Sequence, residues 1–194
     1  MGQATVNLQN LGQKVSTSNP LPVVSSAPTA TATAGALSTV SFARTADTNA
    51  YTAGDVIGIN AAGSPGSAIH TFASAGPAGG VVFITGADLA IDLASITSGM
   101  SSYRLHIYNA SPTAILDNAA FDLVTADIAK HIGFIDLGTV VDYGSQLFTS
   151  VMNVNLECKL ATGVTSLYGE LVTVGAFTPA SGTTFQIRLR TLAV

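Results

Sequence analysis

A strict alternation of apolar and polar residues constrains the fold of this chain more than any other sequence feature. In SVMNVNLECKL, residues 150–160, one parity carries Met152, Val154, Leu156, Cys158 and Leu160, and the other is mostly polar. Successive side chains of a strand point to opposite faces, so the pattern predicts a strand with one face in a core and one in solvent. Such strands are typical of antiparallel sheets.

The same alternation recurs in TFQIRLRTL (184–192), YRLHIYN (103–109) and VVFITGADLAIDLAS (81–95), and turn segments such as AGSPGS and TPASGT separate the runs. Many short strands with such turns predict an all-β fold, an antiparallel β-sandwich that is jelly-roll-like, and not a βαβ fold. The residues expected to face inward in the first two runs are Phe185, Ile187, Leu189, Tyr103, Leu105 and Ile107. In the third run, Val81, Phe83, Leu89, Ile91 and Leu93 share one parity, provided that no bulge intervenes at Gly86. Gln186, Arg188, Arg190, Arg104, His106 and Tyr108 are expected to face outward.

Helices are expected to be few, at most one or two short ones. The segment VTADIAKHI predicts one helix, capped by Thr125, with Lys130 and His131 placed favourably near its C-terminal end. The segment NAAFDL could hold another turn. These segments add little to a fold that the sequence otherwise assigns to β-strands.

The first 36 residues lack the apolar–polar alternation and the glycine-rich turns of the rest of the chain. GQKVSTSNPLPVVSS (12–26) is nearly uncharged, and its prolines favour an extended backbone, because each fixes its own φ and moves its predecessor out of the α region. APTATATAG, which follows, is low-complexity linker. The sequence therefore predicts an extended N-terminal arm and linker at residues 1–36 and an antiparallel β-sandwich domain at 37–194.

The chain has few charged residues, and this limits the kinds of molecule that it can be expected to bind. Only 9% of residues are charged, and the net charge is −4. Nucleic-acid binders need clustered basic residues, so this class is not expected. The apolar segments are too short to span a membrane, and no secretory signal pattern is present, so no membrane partner is expected. Two interpretations of the low charge stay open: a surface covered by partner subunits, or one rich in Thr, Ser, Asn and Gln.

The sequence offers few groups for catalysis. No histidine shares a metal-ligand spacing with another ligand, so surface or capping roles are expected for them. Asp88 and Asp92 could form a cation or acid/base pair, but an outward polar strand face is the favoured interpretation. Cys158 is expected to be a buried structural thiol. The sequence thus predicts no enzyme, and no catalytic, cofactor-binding or metal-binding residue.

Several phrases resemble small tailed-bacteriophage virion structural proteins of the head decoration or cement type. GQKVSTSNPLPVV is similar to an arm near the start of such proteins, and the resemblance continues through AGDVIGI, GPAGGVVFITGADLAIDLASITSGMSSYRLHIYNASP, IGFIDLGTVVDYGSQLF and LYGELVTVGAFTPASGTTFQIRLRTL. It implies a structural component of the virion on the phage head surface, made in the bacterial cytoplasm. It also implies that the partners are the major capsid protein and copies of the chain itself, with a homotrimer as one candidate assembly.

The arm is where partner binding is expected. An extended segment can lie across neighbouring subunits or add a strand to an exposed sheet edge. The alternative function is a tail, neck or fibre-associated adaptor or a host-glycan-binding protein; a depolymerase and a major coat protein are also considered. The residues expected to bind the partner are Leu11, Lys14, Val15, Pro20, Leu21, Pro22, Val23 and Val24.

Overall fold

The computed structural model of this chain describes residues 9–10, 13–14, 35–61 and 64–194. Regular structure in these ranges is β-strand, apart from one 3-10 helix at Thr125–Asp127. The strands are β1 (Gln9–Asn10), β2 (Gln13–Lys14), β3 (Gly35–Ala43), β4 (Val56–Ile57), β5 (Asn60–Ala61), β6 (Ser64–Pro65), β7 (Ile69–Phe72), β8 (Val81–Ile91), β9 (Ser102–Tyr108), β10 (His131–Thr139), β11 (Val141–Asp142), β12 (Leu147–Lys159), β13 (Leu167–Thr173) and β14 (Thr184–Ala193).

The chain divides into two units, Met1–Ala32 and Thr33–Val194. In the first, β1 pairs antiparallel with β2. The second contains two five-stranded antiparallel sheets. Sheet 1 has the order β11-β12-β8-β14-β3, and sheet 2 has the order β10-β9-β13-β4, with β7 pairing along the same side of β13 as β4. The predicted boundary between residues 36 and 37 stays a prediction.

The pairing of the longer strands follows a nested pattern. The outermost strands of the series pair with each other, β3 with β14; then β7 pairs with β13, β8 with β12, and β9 with β10. These pairs form one long hairpin that is folded over on itself. One half contains β3, β14, β7 and β13, the other contains β8, β12, β9 and β10, and the two halves are joined by the β14–β8 and β13–β9 pairs. Eight strands in this arrangement form a jelly roll. The predicted antiparallel β-sandwich is therefore confirmed.

One continuous hydrophobic cluster draws its residues from both sheets. The inward faces of β14 and β9 are as the alternation predicts, since Phe185, Ile187, Leu189, Tyr103, Leu105 and Ile107 are all buried there. Cys158 is buried as well, and burial raises the pKa of its thiol to about 11. The thiol is therefore un-ionised near neutral pH, as expected of a structural residue.

The alternation fails in the middle of β12, where Met152 was expected to face inward. Its side chain is 55% exposed, and the pairing of β12 with β8 shifts between Met152 and Leu156. Asn153 and Asn155 adopt positive φ values of 63° and 53° in this shift, a conformation that asparagine tolerates better than most residues. The bulge changes the parity of the strand, so the expectation for Met152 is wrong.

A second bulge, at Gly86 in β8, also changes a predicted face. Leu89 and Ile91 are buried and Leu93 packs against the core, as expected. Before Gly86 the parity is reversed, because β14 pairs Arg190 with Gly86 but Thr191 with Ile84. Val82 and Ile84 are consequently the buried residues of this half. The condition of an unbroken strand at Gly86 therefore fails, and Val81 and Phe83 do not share the buried face of Leu89 and Ile91. A side chain at position 86 would meet the Val151 carbonyl oxygen at 2.8 Å, so glycine permits the close strand approach.

The helix predicted over VTADIAKHI is reduced to the 3-10 helix, whose N-cap is Val124 without a side-chain cap. The Lys130 ammonium donates to Asp127 Oδ1 at 2.7 Å and to the Ser111 carbonyl at 3.0 Å, which holds the segment against a neighbouring loop. His131 does not end a helix; it is the first residue of β10 and pairs with Tyr108. Strand pairing with β9 therefore overrides the local helical preference.

Candidate functional site

The expected partner-binding residues of the arm lie almost entirely outside the described residues. Lys14 is the exception, because it lies in β2, where it pairs with Gln9. The others, Leu11, Val15, Pro20, Leu21, Pro22, Val23 and Val24, lie outside. Their assignment to partner binding stays a prediction.

The described chain resumes at β3, an edge strand of sheet 1. β3 pairs with β14 on one side, and no described strand pairs with its other side. The Arg44 amide donates to the Thr183 carbonyl at 3.0 Å, which fixes which residues exchange hydrogen bonds with β14. Residues that bond to the partner strand alternate with residues that do not along an antiparallel pair. Phe42, Val40 and Ser38, at the same parity as Arg44, therefore bond to β14, whereas Leu37, Thr39 and Ser41 direct their amide and carbonyl groups away from it. Their side chains are exposed.

The edge of β3 differs from the other described sheet edges. β3 has nine residues without charge or proline. β10, by contrast, carries two register irregularities, and β11, β4 and β7 are only two to four residues long. Short strands, bulges, charges and prolines are the usual protections of a sheet edge against another chain. β3 lacks all of them and is the described edge best suited to accept a further strand.

Apolar side chains lie beside this edge on the outer face of sheet 1. The pairing aligns Leu37, Arg190, Gly86 and Met152 in one row across the sheet. The next row aligns Leu192 with Phe83, which is half-buried. We call Leu37, Phe83, Met152 and Leu192 the apolar patch. It begins with Leu37 on β3, near the end to which residues 1–34 are joined, and extends across the sheet to Met152 on β12, with Arg190 and Gly86 lying between these two residues.

Asp88 is enclosed by ion pairs on the same outer face. Its Oδ2 lies 2.7 Å from an Arg190 terminal nitrogen and 3.1 Å from Arg188 Nε, and its Oδ1 accepts from Ser150 at 2.6 Å. Asp92 is exposed beyond the end of β8. The two carboxylates do not form a cation or acid/base pair, and the outward placement that the sequence favoured for Asp88 is observed.

The histidines occupy three different settings. His70 is buried, with Nε2 3.1 Å from the Ile57 carbonyl oxygen, and burial lowers its pKa to about 4. His106 and His131 lie together on sheet 2, with Nδ1 of the former 3.2 Å from Nε2 of the latter. The sequence missed this pair because it assigned His131 to a helix. In the part of the chain that the structure describes, no three His, Cys, Asp or Glu side chains could hold a metal ion.

Comparison with known proteins adds little to this geometry. The sequence matches no protein-family model and no curated protein. Among solved structures it is similar to "Israeli acute paralysis virus heated to 63 degree - full particle", with 12% identity, 84% of this chain and 74% of that chain covered, and a TM-score of 0.28. A likeness at this level carries no argument, so the fold rests on the strand pairing. Within the described ranges, no helix is long and apolar enough to cross a bilayer.

Proposed function

We propose that this chain is a non-enzymatic structural protein of a bacteriophage virion, most specifically a capsid decoration (cement) protein. It attaches to the head lattice through residues 1–36 and stabilises the lattice through subunit contacts. The observation that carries the proposal is the unprotected edge of β3, with the apolar patch beside it, at the point where the arm joins the jelly roll. The partners are the major capsid protein and copies of this chain, with a homotrimer as the candidate assembly.

The chemistry of this surface suits docking to other protein chains. An extended partner segment can add to the β3 edge, where main-chain hydrogen bonds supply affinity and the flanking side chains supply specificity. The scarcity of charge fits contact areas whose centres exclude charged groups. Ordering an extended arm on binding costs free energy, which repeated binding to a multivalent lattice offsets. Jelly rolls occur in viral capsids but also in lectins, so the fold supports the proposal without assigning it.

Removing residues 1–30 tests the proposal. We expect the truncated chain to lose attachment to phage heads stripped of this protein, whereas the full chain rebinds. Because both sheets lie within Thr33–Val194, we expect the circular-dichroism spectrum and unfolding transition of the β-domain to persist. Co-sedimentation with heads, read at several protein concentrations, measures attachment. Rebinding of the truncated chain at full occupancy would show that the arm is not the anchor.

The alternative is a tail, neck or fibre-associated adaptor or a host-glycan-binding protein. One observation favours its glycan-binding form, a cleft on the outer face of sheet 2 lined by an arginine, a histidine and a phenylalanine. Saturable binding of a glycan would support this function whether or not the chain also attaches to heads.

A further inference from the structure

A cleft of about 380 Å³ opens on the outer face of sheet 2, beside the ends of β9 and β13. It is lined by Arg104 and His106 of β9, by Val172 of β13, and by Gly54 and Phe121 from two loops. The loops are held in place by backbone hydrogen bonds from Phe121 to Gly54 and from Gly54 to Thr173. Its size is that of a site for a monosaccharide or a short oligosaccharide.

Arg104 is the one described arginine with no carboxylate within 4 Å, and the exposed Asp136 stands opposite it in the pairing of β9 with β10. Arg44 pairs with Asp47, and Arg188 and Arg190 both pair with Asp88. The Arg104 guanidinium lies over the Phe134 ring instead, 5.2 Å from its centroid, and the arginine is exposed. Stacking on the ring orients the planar guanidinium group, and a guanidinium can bind a carboxylate through two parallel hydrogen bonds. An unpaired, oriented guanidinium at a cleft is suited to an anion.

Aromatic rings and one imidazole nitrogen lie on the same outer face of sheet 2 as this cation. The His106 ring packs on Phe121 with centroids 4.0 Å apart, and Phe134 is 51% exposed beside Arg104. His106 Nδ1 is engaged by His131, whereas Nε2 has no hydrogen-bond partner among the described residues. Aromatic faces carry negative charge density and attract the C–H face of a sugar ring. The free nitrogen can bond to a hydroxyl group.

We propose that this cleft binds a carboxylate-bearing saccharide, such as a uronic acid unit of a surface polysaccharide. Arg104 receives the carboxylate, the Phe121 ring that lines the cleft packs against the sugar ring, and His106 Nε2 contacts a hydroxyl group. The cleft is formed by described residues of the jelly roll and does not include the arm. The proposal therefore stands or falls independently of attachment to the phage head.

Titration of the ¹⁵N-labelled full chain with glucuronate, observed by NMR, tests the site. We expect saturable shifts at residues 53–54, 104–106, 121 and 172–174, and no saturable shifts with glucose, which lacks the carboxylate. Acetate, which lacks the ring, should bind at least about ten-fold more weakly than glucuronate. Equal binding of glucose would overturn the role of the charge, and equal binding of acetate would overturn the role of the ring.

Variants separate the site from non-specific attraction. Arg104→Gln should weaken glucuronate binding at least about ten-fold, the effect expected for loss of a charge-assisted hydrogen bond. Arg104→Lys keeps the positive charge but not the planar guanidinium, and its affinity for glucuronate should lie between those of Arg104→Gln and the wild type. Arg188→Gln makes the matched change on sheet 1 and should bind like the wild type. Each spectrum reports folding directly, and an unchanged affinity in folded Arg104→Gln would contradict the proposal.

Discussion

Replacing Arg44 with methionine should lower the free energy of unfolding by about 3–5 kcal/mol. The arginine side chain is fully buried at the end of β3. Its Nε donates to the Tyr51 hydroxyl at 3.0 Å, and its terminal nitrogens donate to the backbone and side-chain oxygens of Asp47, both at 2.6 Å. One terminal nitrogen also lies 3.9 Å from Asp117 Oδ2. Methionine fills a similar volume but replaces none of these donors.

The buried carboxylate of Asp117 enlarges the effect. Its Oδ1 accepts hydrogen bonds from the Tyr51 hydroxyl at 2.6 Å and from the Gly58 amide at 2.9 Å. Burial raises the pKa of Tyr51, and the hydrogen bond to Asp117 acts in the same direction, so the phenol stays protonated and donates. Without Arg44, Asp117 is a buried charge with no cation. Removing one member of a buried pair is costly for this reason.

Urea denaturation of the full chain at pH 7 measures this prediction. Arg188→Met is the matched control, and it should cost less than about 1 kcal/mol because Asp88 retains Arg190 and Arg188 is partly exposed. The double variant Arg44→Met/Asp117→Asn should recover part of the loss, since the buried carboxylate that lost its cation is then replaced by a neutral amide, and Asp47 is partly exposed to solvent. A loss in Arg44→Met no larger than that in Arg188→Met would contradict the prediction.

Acid should destabilise the protein by about 2 kcal/mol between neutral pH and pH 5 through His70. The pKa of His70 is lowered to about 4 by burial, so the folded state keeps this ring neutral. The unfolded chain binds the proton near the ordinary value of about 6.5. Below that pH the unfolded state holds more protons, and stability falls by about 1.4 kcal/mol per pH unit until the folded state also titrates. The loss accumulates between about pH 6.5 and pH 4.

Other titrating groups require a variant comparison. His106, whose pKa is also lowered to about 4 by burial and by the charges of His131 and Arg104, acts in the same direction. Glu170 acts in the opposite direction, because burial raises its pKa and acid then favours the folded state. His70→Gln can keep a donor to the Ile57 carbonyl without titrating. Its unfolding free energy should depend less steeply on pH than that of the wild type, and identical slopes from pH 7 to pH 5 would contradict the assignment.

The faces of β14 and β9 were predictable because their alternation is unbroken and both strands pair on both sides. β12 and β8 were only half predictable. Their bulges depend on left-handed asparagines at 153 and 155 and on the close approach of chains at Gly86, and neither is visible in a period-two pattern. Gly86 was predictable as a position where a bulge would change the faces, and the bulge of β8 lies there. Asn153 and Asn155 gave no such signal, because they occupy positions where the alternation already expects polar residues.

The polar network and the cleft were not predictable from local sequence. Arg44 follows β3 directly, and nothing near it indicates that Asp117 of a distant loop lies beside it. The cleft likewise combines β9 with residues 53–54, 121 and 172–174, which the fold brings together from far apart. Tyr108 shows the same limit. It lies on the outward parity of β9 as expected, yet it is buried and donates to Glu170 at 2.8 Å.

A density map of the intact phage particle tests the central claim most directly. We expect the jelly roll in many copies spread over the outer surface of the head, with residues 1–36 and the free edge of β3 in contact with capsid subunits. The nested pairing of the eight jelly-roll strands makes the domain recognisable in such a map. Its presence in only a few copies along the tail axis, and its absence from the head lattice, would contradict a role as a capsid decoration protein.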